Sequence, residues 1–259
     1  KMVEEARSLI RQGDMFQCVL SQRFSAEYSG KPLDYYRNLR VTNPSNYLYF
    51  YDFGDYQIIG ASPESLVSVK QGQVTTNPIA GTRPRGKDER EDKALAEELL
   101  SDEKEVAEHR MLVDLGRNDI GKIARNNSVE VTKYMEVEYF RYVMHLTSVV
   151  RGQLLPQLTA MDALKSTLPA GTVSGAPKIR AMKRIYELEQ EKRGVYAGAI
   201  GYLSATGDMD VAIAIRTMIL KNGRAYVQAG AGIVYDSIPA NEYQETINKA
   251  KSMTKIGEM

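Results

Sequence analysis

Short strands and helices follow one another along this sequence without the regular strand–helix–strand rhythm of a parallel α/β protein. Alternating or aromatic apolar residues between turn signals predict strands at Gln17–Phe24, Tyr47–Tyr51, Gln57–Ile59, Leu66–Lys70, Gln73–Thr76, Ala199–Ser204, Met209–Ile219 and Ala225–Val234. Gly-containing turns join several of these strands as hairpins. This order predicts an α+β fold with largely antiparallel sheets.

Helical spacing of apolar residues predicts an amphipathic helix at the N-terminus, with further helices at Asp88–Ile123, Thr159–Leu168, Ala176–Gln190 and Pro239–Lys255. The charged run KDEREDK in the second helical region is expected to be a solvated helix face. Because Lys1 falls inside the first helix, we expect a single domain, residues 1–259, that is the C-terminal part of a longer chain.

The charge balance argues against several classes of partner. The chain has 34 Lys and Arg against 33 Asp and Glu, a net charge of +1, and no basic block stands apart from acids. We therefore expect no nucleic-acid partner and no membrane surface. The longest apolar run, around Val211–Ile215, is far short of the roughly 20 residues that span a bilayer. No signal peptide is recognisable, so a cytoplasmic location is the default expectation.

The metal-ligating residue types restrict the metals that this chain can hold. A single cysteine, Cys18, excludes an internal disulfide and a Cys-rich zinc site, and the two histidines are not at HExxH spacing. A bound metal would therefore be held by carboxylates, which favours Mg²⁺ over Zn²⁺.

The predicted strand Met209–Ile219 carries an arginine on its less bulky face. Strict alternation places four residues on that face, Asp210, Ala212, Ala214 and Arg216. Because alanine side chains are small, two of them would leave space beside the guanidinium for a carboxylate ligand. A structural acid paired with Arg216 explains the pattern equally well.

Two glycine-rich segments indicate close approach to the backbone. Gly230 and Gly232 fall inside a predicted strand, where either another strand or a ligand would come near. The loop Pro169–Lys178 opens a helix and offers free N–H groups for an anion, but it lacks the spacing of a nucleotide-binding P-loop.

Three titratable residues admit both a structural and a functional interpretation. Glu108 shares a helix face with apolar residues, so its carboxylate needs either a cation or a Lys or Arg partner. Glu245 lies four residues before Lys249, the spacing of a solvated salt bridge. His145, between Val143 and Thr147 on one strand face, is more often structural in such a setting.

Several long strings of unusual composition, taken together, favour the functional interpretation of these residues. They are PIAGTRPRG from Pro78, EHRMLVDLGRNDIG from Glu108, YVMHLTS from Tyr142, LPAGTVSGAPK from Leu168, AGAGIV from Ala229 and NEYQETINKA from Asn241. The set resembles the chorismate-utilising enzymes, and among them the large subunits (component I) of anthranilate synthases. The resemblance runs from Gln17 to the C-terminus and implies antiparallel sheets in a layered sandwich flanked by helices.

The resemblance also implies a set of ligand-binding residues. Glu108 and Glu245 match the carboxylates that hold Mg²⁺, which grips the ring carboxylate of chorismate. The substrate-binding positions are matched by Gly81, Thr82, Tyr196, Arg216, Gly230 and Gly232. The feedback elements for tryptophan in this family lie mostly upstream of residue 1.

The implied reaction joins ammonia to chorismate and releases pyruvate to give anthranilate, the first committed step of tryptophan biosynthesis. Glu64 resembles the general acid that protonates the departing C4 hydroxyl, which requires a raised pKa. His145 and Thr172 match residues associated with the later loss of the C2 proton and pyruvate. A glutamine amidotransferase subunit normally delivers the ammonia in this family.

Two positions distinguish this sequence from sister enzymes of the family. Aminodeoxychorismate synthases typically carry a lysine where this chain has Ala80, and isochorismate and salicylate synthases carry one where it has Gln17. Neither residue here can act as an amine nucleophile or a base, which favours anthranilate synthase. An aminodeoxychorismate synthase without that lysine, or a catalytically silent chorismate-binding module, remains the alternative.

Overall fold

The computed structural model describes residues 1–254 of the chain and contains both helices and antiparallel strands. The helices in this range are α1 (Met2–Arg11), α2 (Pro32–Thr42), α3 (Glu89–Ser101), α4 (Glu103–Gly121), α5 (Ala160–Thr167), α6 (Lys178–Leu188) and α7 (Pro239–Thr254). The strands are β1 (Gln17–Glu27), β2 (Tyr47–Asp52), β3 (Tyr56–Ser62), β4 (Ser65–Lys70), β5 (Gln73–Thr76), β6 (Ile79–Pro84), β7 (Glu130–Tyr139), β8 (Val143–Gln153), β9 (Gly175–Ala176), β10 (Ala199–Leu203), β11 (Met209–Ile213), β12 (Thr217–Lys221) and β13 (Arg224–Ile233). The expected α+β class is confirmed.

The chain folds into two compact units. Within the described residues, unit 1 comprises Lys1–Glu64, Pro169–Ile200 and 212–254, and unit 2 comprises Ser65–Leu168 and Gly201–Val211. None of the helices within residues 1–254 combines the length and the apolar character needed to cross a bilayer.

Unit 1 is built on a six-stranded sheet in the order β2-β3-β12-β13-β1-β9. One face of this sheet packs against helices, because apolar side chains of α2 and α7 meet β3, β12 and β13 in one core cluster, and those of α1 and α6 meet β1 and β13 in another. The register pairs Ser21 with Gly230 and Val19 with Gly232. Since strand residues alternate between faces, these four residues lie on the face opposite the helices.

Unit 2 is built around the long strand β8, which pairs with β5, β6 and β7. Leu99 of α3 packs with Met144 and Leu146 of β8 in a buried apolar cluster. Asp102 ends α3 and also caps α4, because its carboxylate accepts the N–H groups of Lys104 and Glu105. The helical region predicted for residues 88–123 is therefore two helices.

The structure corrects several other predictions. The charged run KDEREDK is solvated except for Asp92, which is buried in an ion pair with Arg85. The sequence reading missed α2 and β6. The last helix was predicted to reach Lys255, which lies outside the described residues.

The predicted strand Met209–Ile219 is broken in two. β11 belongs to the seven-stranded sheet and β12 to the six-stranded one, so the chain changes sheets at residues 214–216. Ala212 and Ala214 are buried and do not line open space beside Arg216. Arg216 therefore does not continue a strand face with Ala212 and Ala214, and the prediction from strict alternation is wrong.

Candidate active site

Glu64 and Thr172 meet in unit 1. Glu64 lies between β3 and β4, and Thr172 lies in the short 3₁₀ turn Gly171–Val173. The Thr172 hydroxyl donates a 2.8 Å hydrogen bond to Oε1 of Glu64. Burial raises the pKa of Glu64 to about 7, although the Thr172 hydrogen bond and the charge of Lys249 act in the opposite direction. This carboxyl can therefore carry or release a proton near neutral pH.

Arg216 is fixed in a conformation that few non-glycine residues adopt. Its φ is 49°, in the left-handed region, and its carbonyl accepts the N–H of Ala61 at 3.1 Å. Nη1 donates to the carbonyl of Lys249 at 2.8 Å and to the hydroxyl of Ser252 at 2.9 Å, both on α7. Burial lowers the pKa of Arg216. A carbonyl oxygen and a hydroxyl oxygen of α7 thus hold this guanidinium in place.

Gly230 of β13 lies close to the Tyr196 hydroxyl, and Gly232 lies close to the side chain of Gln17. A Cβ built on Gly230 would be 2.6 Å from the Tyr196 hydroxyl and 2.9 Å from the Leu20 carbonyl. A Cβ on Gly232 would be 2.8 Å from Nε2 of Gln17. The Leu20 backbone carbonyl therefore leaves no room for a side chain at Gly230, whereas at Gly232 the end of the Gln17 side chain would have to move. Burial raises the pKa of Tyr196 to about 12, so its hydroxyl keeps its proton and can donate a hydrogen bond at neutral pH.

Lys249 was not predicted as a site residue from the sequence. Its ammonium donates to the Gly230 carbonyl at 3.0 Å and lies 2.6 Å from Oε1 of Glu245. It also lowers the pKa of Glu64. The only sequence signal was its position four residues after Glu245, which is equally typical of a surface pair.

In unit 2, His145 lies against a bulged strand. The pairing of β6 with β8 shifts register between Ala80 and Arg83, and Gly81 in that bulge has a φ of 65°. The bulge brings the Gly81 carbonyl to 2.8 Å and the Thr82 hydroxyl to 3.1 Å from Nδ1 of His145. A carbonyl only accepts, so Nδ1 carries the proton, and Nε2 of the neutral ring is left with the lone pair of a base.

Glu108 lies on α4 beside a second carboxylate, Glu105, one turn earlier. Burial raises the pKa of Glu105, and the negative charges of Glu108 and Asp102 raise it further, whereas the charges of Arg83 and Lys104 lower it. Arg83 lies 3.9 Å from Glu105, so this carboxylate already has a cationic neighbour. The sequence reading missed Glu105, although its i−3 spacing from Glu108 was visible.

The carboxylates fit a hard divalent cation better than a softer metal. Glu108 is half-buried, and Glu245 is 46% exposed with one oxygen paired to Lys249. No three His, Cys, Asp or Glu side chains within residues 1–254 cluster as a metal cage. A metal held by one or two carboxylates, with substrate and water completing its shell, is the arrangement Mg²⁺ commonly adopts.

The family described as chorismate binding enzyme matches residues 1–255. The chain belongs to this family. Its α+β fold with antiparallel sheets is the one found in solved structures of the family's members.

Relatives within the chorismate binding enzyme family carry anthranilate synthase names. The chain is 64% identical over 256 residues to anthranilate synthase component 1 of Lactococcus lactis, covering 99% of this chain and 56% of that protein. It is 84% identical, with a TM-score of 0.92, to the crystal structure of anthranilate synthase component I from Streptococcus pneumoniae, covering 98% of this chain and 56% of that one. The chain thus spans about half the length of these relatives.

A more distant structural relative has a different activity in its name. The menaquinone-specific isochorismate synthase of Escherichia coli shares 26% identity over 98% of this chain and 59% of its own, with a TM-score of 0.89. The fold of the family therefore accommodates more than one reaction, and side chains must decide which one.

Proposed function

We propose that this chain is the chorismate-binding catalytic part of an anthranilate synthase large subunit. In the reaction, ammonia and chorismate give anthranilate and pyruvate, with Mg²⁺ as cofactor and a glutamine amidotransferase subunit as the source of ammonia. The observation that carries the proposal is the Glu64 carboxyl, with a pKa of about 7 and a hydrogen bond from Thr172, in a chain 84% identical to such a subunit.

The first step would place an amino group on the ring. Ammonia forms a bond to C2 while the C4–oxygen bond breaks and the ring double bonds shift. Hydroxide is a poor leaving group, so Glu64 donates the proton with which it departs as water. The raised pKa of Glu64 keeps a large share of this carboxyl protonated near pH 7.

The second step would make the ring aromatic. Nε2 of His145 accepts the C2 proton, because the Gly81 carbonyl holds the other ring nitrogen as a donor. The electron pair of the C2–H bond forms the new ring double bond as the bond between C3 and the enolpyruvyl oxygen breaks. The departing enolate takes up a proton and is released as pyruvate. Thr172 matches a residue that is associated with this step in the chorismate-utilising enzymes.

The remaining residues would bind and orient the substrate. Arg216 and the Tyr196 hydroxyl donate to the enolpyruvyl carboxylate, and the backbones at Gly81, Thr82, Gly230 and Gly232 contact the ring substituents. Glu108 and Glu245 would hold Mg²⁺, which when bound neutralises and orients the ring carboxylate.

The choice of nucleophile follows from two side chains. Ala80 is buried in β6 and has no amine with which to attack, and Gln17 is a buried amide at the start of β1. Neither supplies the lysine expected in aminodeoxychorismate or isochorismate synthases. Ammonia attack is therefore favoured. The cytoplasmic location expected from the sequence stays a prediction.

A fluorescence assay tests the proposal directly. The purified protein is incubated with chorismate, Mg²⁺ and an ammonium salt, and anthranilate is followed by its fluorescence, with Glu64→Gln as the matched control. Product from the wild type and not from the variant supports the proposal. Aminodeoxychorismate, detected only after a lyase is added, would indicate the folate-pathway alternative. Chorismate binding without turnover would indicate a silent module.

A further inference from the structure

The side chain of Arg193 donates four hydrogen bonds within unit 1. It lies in the loop that follows α6, and its side chain is 17% exposed. Nε and Nη2 bind both oxygens of Glu189 at 2.9 and 2.6 Å, Nη1 donates to the Val173 carbonyl at 2.6 Å, and Nη2 donates to the Val19 carbonyl at 2.7 Å. One guanidinium thus links three separate segments of unit 1.

Glu189 continues this network to the central strands of the sheet. Its Oε1 accepts the N–H and the hydroxyl of Ser21, each at 2.8 Å. The amide of Gln228 donates to the same hydroxyl at 2.8 Å. Ser21 pairs with Gly230 across β1 and β13. The Arg193–Glu189 pair is therefore held rigidly, because each of its side-chain nitrogen and oxygen atoms has a hydrogen-bond partner in this network.

Two contacts lead from Arg193 to candidate site residues. Val173, whose carbonyl Arg193 holds, follows Thr172 in the 3₁₀ turn, and the Thr172 hydroxyl binds Glu64. The guanidinium carbon also lies 5.4 Å from the ring centre of Tyr196, at the distance of a cation–π contact. Arg193 itself has no contact with Glu64 or Arg216 among the described hydrogen bonds.

We infer that Arg193, braced by Glu189, is a positioning residue that sets the Thr172–Glu64 hydrogen bond and the orientation of Tyr196. This inference rests on the proposed function for its catalytic meaning, but the geometry it describes does not. The planar guanidinium is needed, because its three nitrogens reach four oxygen atoms of three residues at once, which a lysine ammonium cannot do.

The proposal predicts how Arg193→Lys affects Glu64. Lysine keeps the positive charge, so the field at Glu64 changes little, whereas the support for the Val173 carbonyl is lost. Glu64 would then lose the Thr172 hydrogen bond that lowers its pKa, and its titration midpoint would rise. Lys249, whose charge also acts on Glu64, keeps its partners Gly230 and Glu245 in this variant. Tyr196, which also interacts with Glu64, contacts Arg193 directly, so the comparison in the Thr172→Val background separates its contribution.

The experiment is a carbon-13 NMR titration of the Glu64 carboxyl in the intact protein, assigned with Glu64→Gln. Four proteins are compared: wild type, Arg193→Lys, Thr172→Val and the double variant. If Arg193 acts through Thr172, the double variant titrates like Thr172→Val alone. Arg184→Lys is the matched control, since Arg184 also forms a part-buried ion pair but binds Asp14 and Glu187. Its Glu64 midpoint should equal that of the wild type.

Folding is checked by near-ultraviolet circular dichroism and thermal melting. Glu189→Gln, which keeps one acceptor for Arg193, replaces Arg193→Lys if the latter does not fold, and it should shift the Glu64 midpoint in the same direction. An unchanged midpoint in a folded variant, or shifts that add in the double variant, would overturn the inference. Wild-type protein that fails to convert chorismate would count against the proposed function only, because the titration needs no turnover.

Discussion

The hydroxyl of Thr172 donates a 2.8 Å hydrogen bond to Oε1 of Glu64, although the two residues are 108 positions apart in the chain. Such a bond stabilises the ionised carboxylate, yet burial outweighs it and the pKa of Glu64 stays at about 7. The pair therefore keeps an acid that is strong enough to donate a proton and still protonated in part at neutral pH.

The first prediction concerns the pH dependence of turnover. A general acid must be protonated, so kcat/KM for chorismate should fall as the pH rises through about 7, the folded-state pKa of Glu64. Thr172→Val should move this fall to higher pH, because it removes an interaction that lowers the pKa. Initial rates between pH 5.5 and 9 measure both. A pH profile of Thr172→Val that coincides with that of the wild type would exclude Glu64 as the titrating acid.

The second prediction separates the two chemical steps. His145→Gln removes the base proposed for the C2 proton, whereas Glu64 remains to assist the first step. Chorismate should still be consumed, but anthranilate formation should fall by roughly 10²–10⁴-fold, the range typical of a lost general base. Chromatography of the quenched reaction should show an aminated, non-aromatic intermediate. A variant that makes anthranilate at the wild-type rate contradicts the role of His145.

How far the sequence could predict this site depends on the range of each interaction. The strand β8 and the helix α7 follow local periodicity, so the elements that carry His145 and Glu245 were predicted. The bonds of His145 to the Gly81 carbonyl and of Thr172 to Glu64 join distant segments, and the β-bulge that permits the first is a feature of strand pairing. No local pattern encodes such contacts.

Two errors have distinct physical causes. The residues around Arg216 favour strand throughout, so alternation was extended across a point where the chain leaves one sheet for another and φ becomes positive. The break at Asp102 could have been found, because an Asp followed three residues later by Glu105 is a typical helix start.

The third prediction concerns stability. Arg184 and Arg180 hydrogen-bond the carboxylate of Asp14 and hold its pKa well below the usual range. The resulting stabilisation is present above the unfolded-state pKa of about 4 and is lost as the pH falls through the lowered folded-state value. Asp14→Asn should therefore lower Tm at pH 7, and the difference should shrink below about pH 4.

Thermal unfolding of the two proteins at both pH values tests this prediction. Asp114→Asn is the control, because Asp114 pairs with Arg117 on the surface of α4 with both side chains more than half exposed. Its Tm should match that of the wild type. A difference for Asp14→Asn that persists unchanged at low pH would show that another interaction is responsible.

The fourth prediction tests the metal ligands. Glu245→Gln keeps the size of the side chain but removes a charged oxygen donor, so the Mg²⁺ concentration needed for half-maximal activity should rise. Glu242→Gln, one turn earlier on α7, provides the matched control and should leave it unchanged. Calorimetric titration with Mg²⁺ and chorismate gives a second readout. An identical Mg²⁺ requirement in Glu245→Gln would remove this residue from the proposed ligand set.

The last prediction concerns the arginine with the left-handed backbone. Arg216→Ala removes the guanidinium that we propose to bind the enolpyruvyl carboxylate, and chorismate affinity should weaken by about 2–5 kcal/mol. The strained φ of 49° persists in this variant, so Arg216→Lys, which shares the strain and keeps the charge, separates strain from charge. Lysine should restore part of the affinity but not the bidentate geometry. Arg224→Ala, on the exposed side of β13, should bind chorismate like the wild type. A normal Kd in Arg216→Ala, measured by calorimetry without ammonium, would assign this guanidinium to the contact between residue 216 and α7 alone.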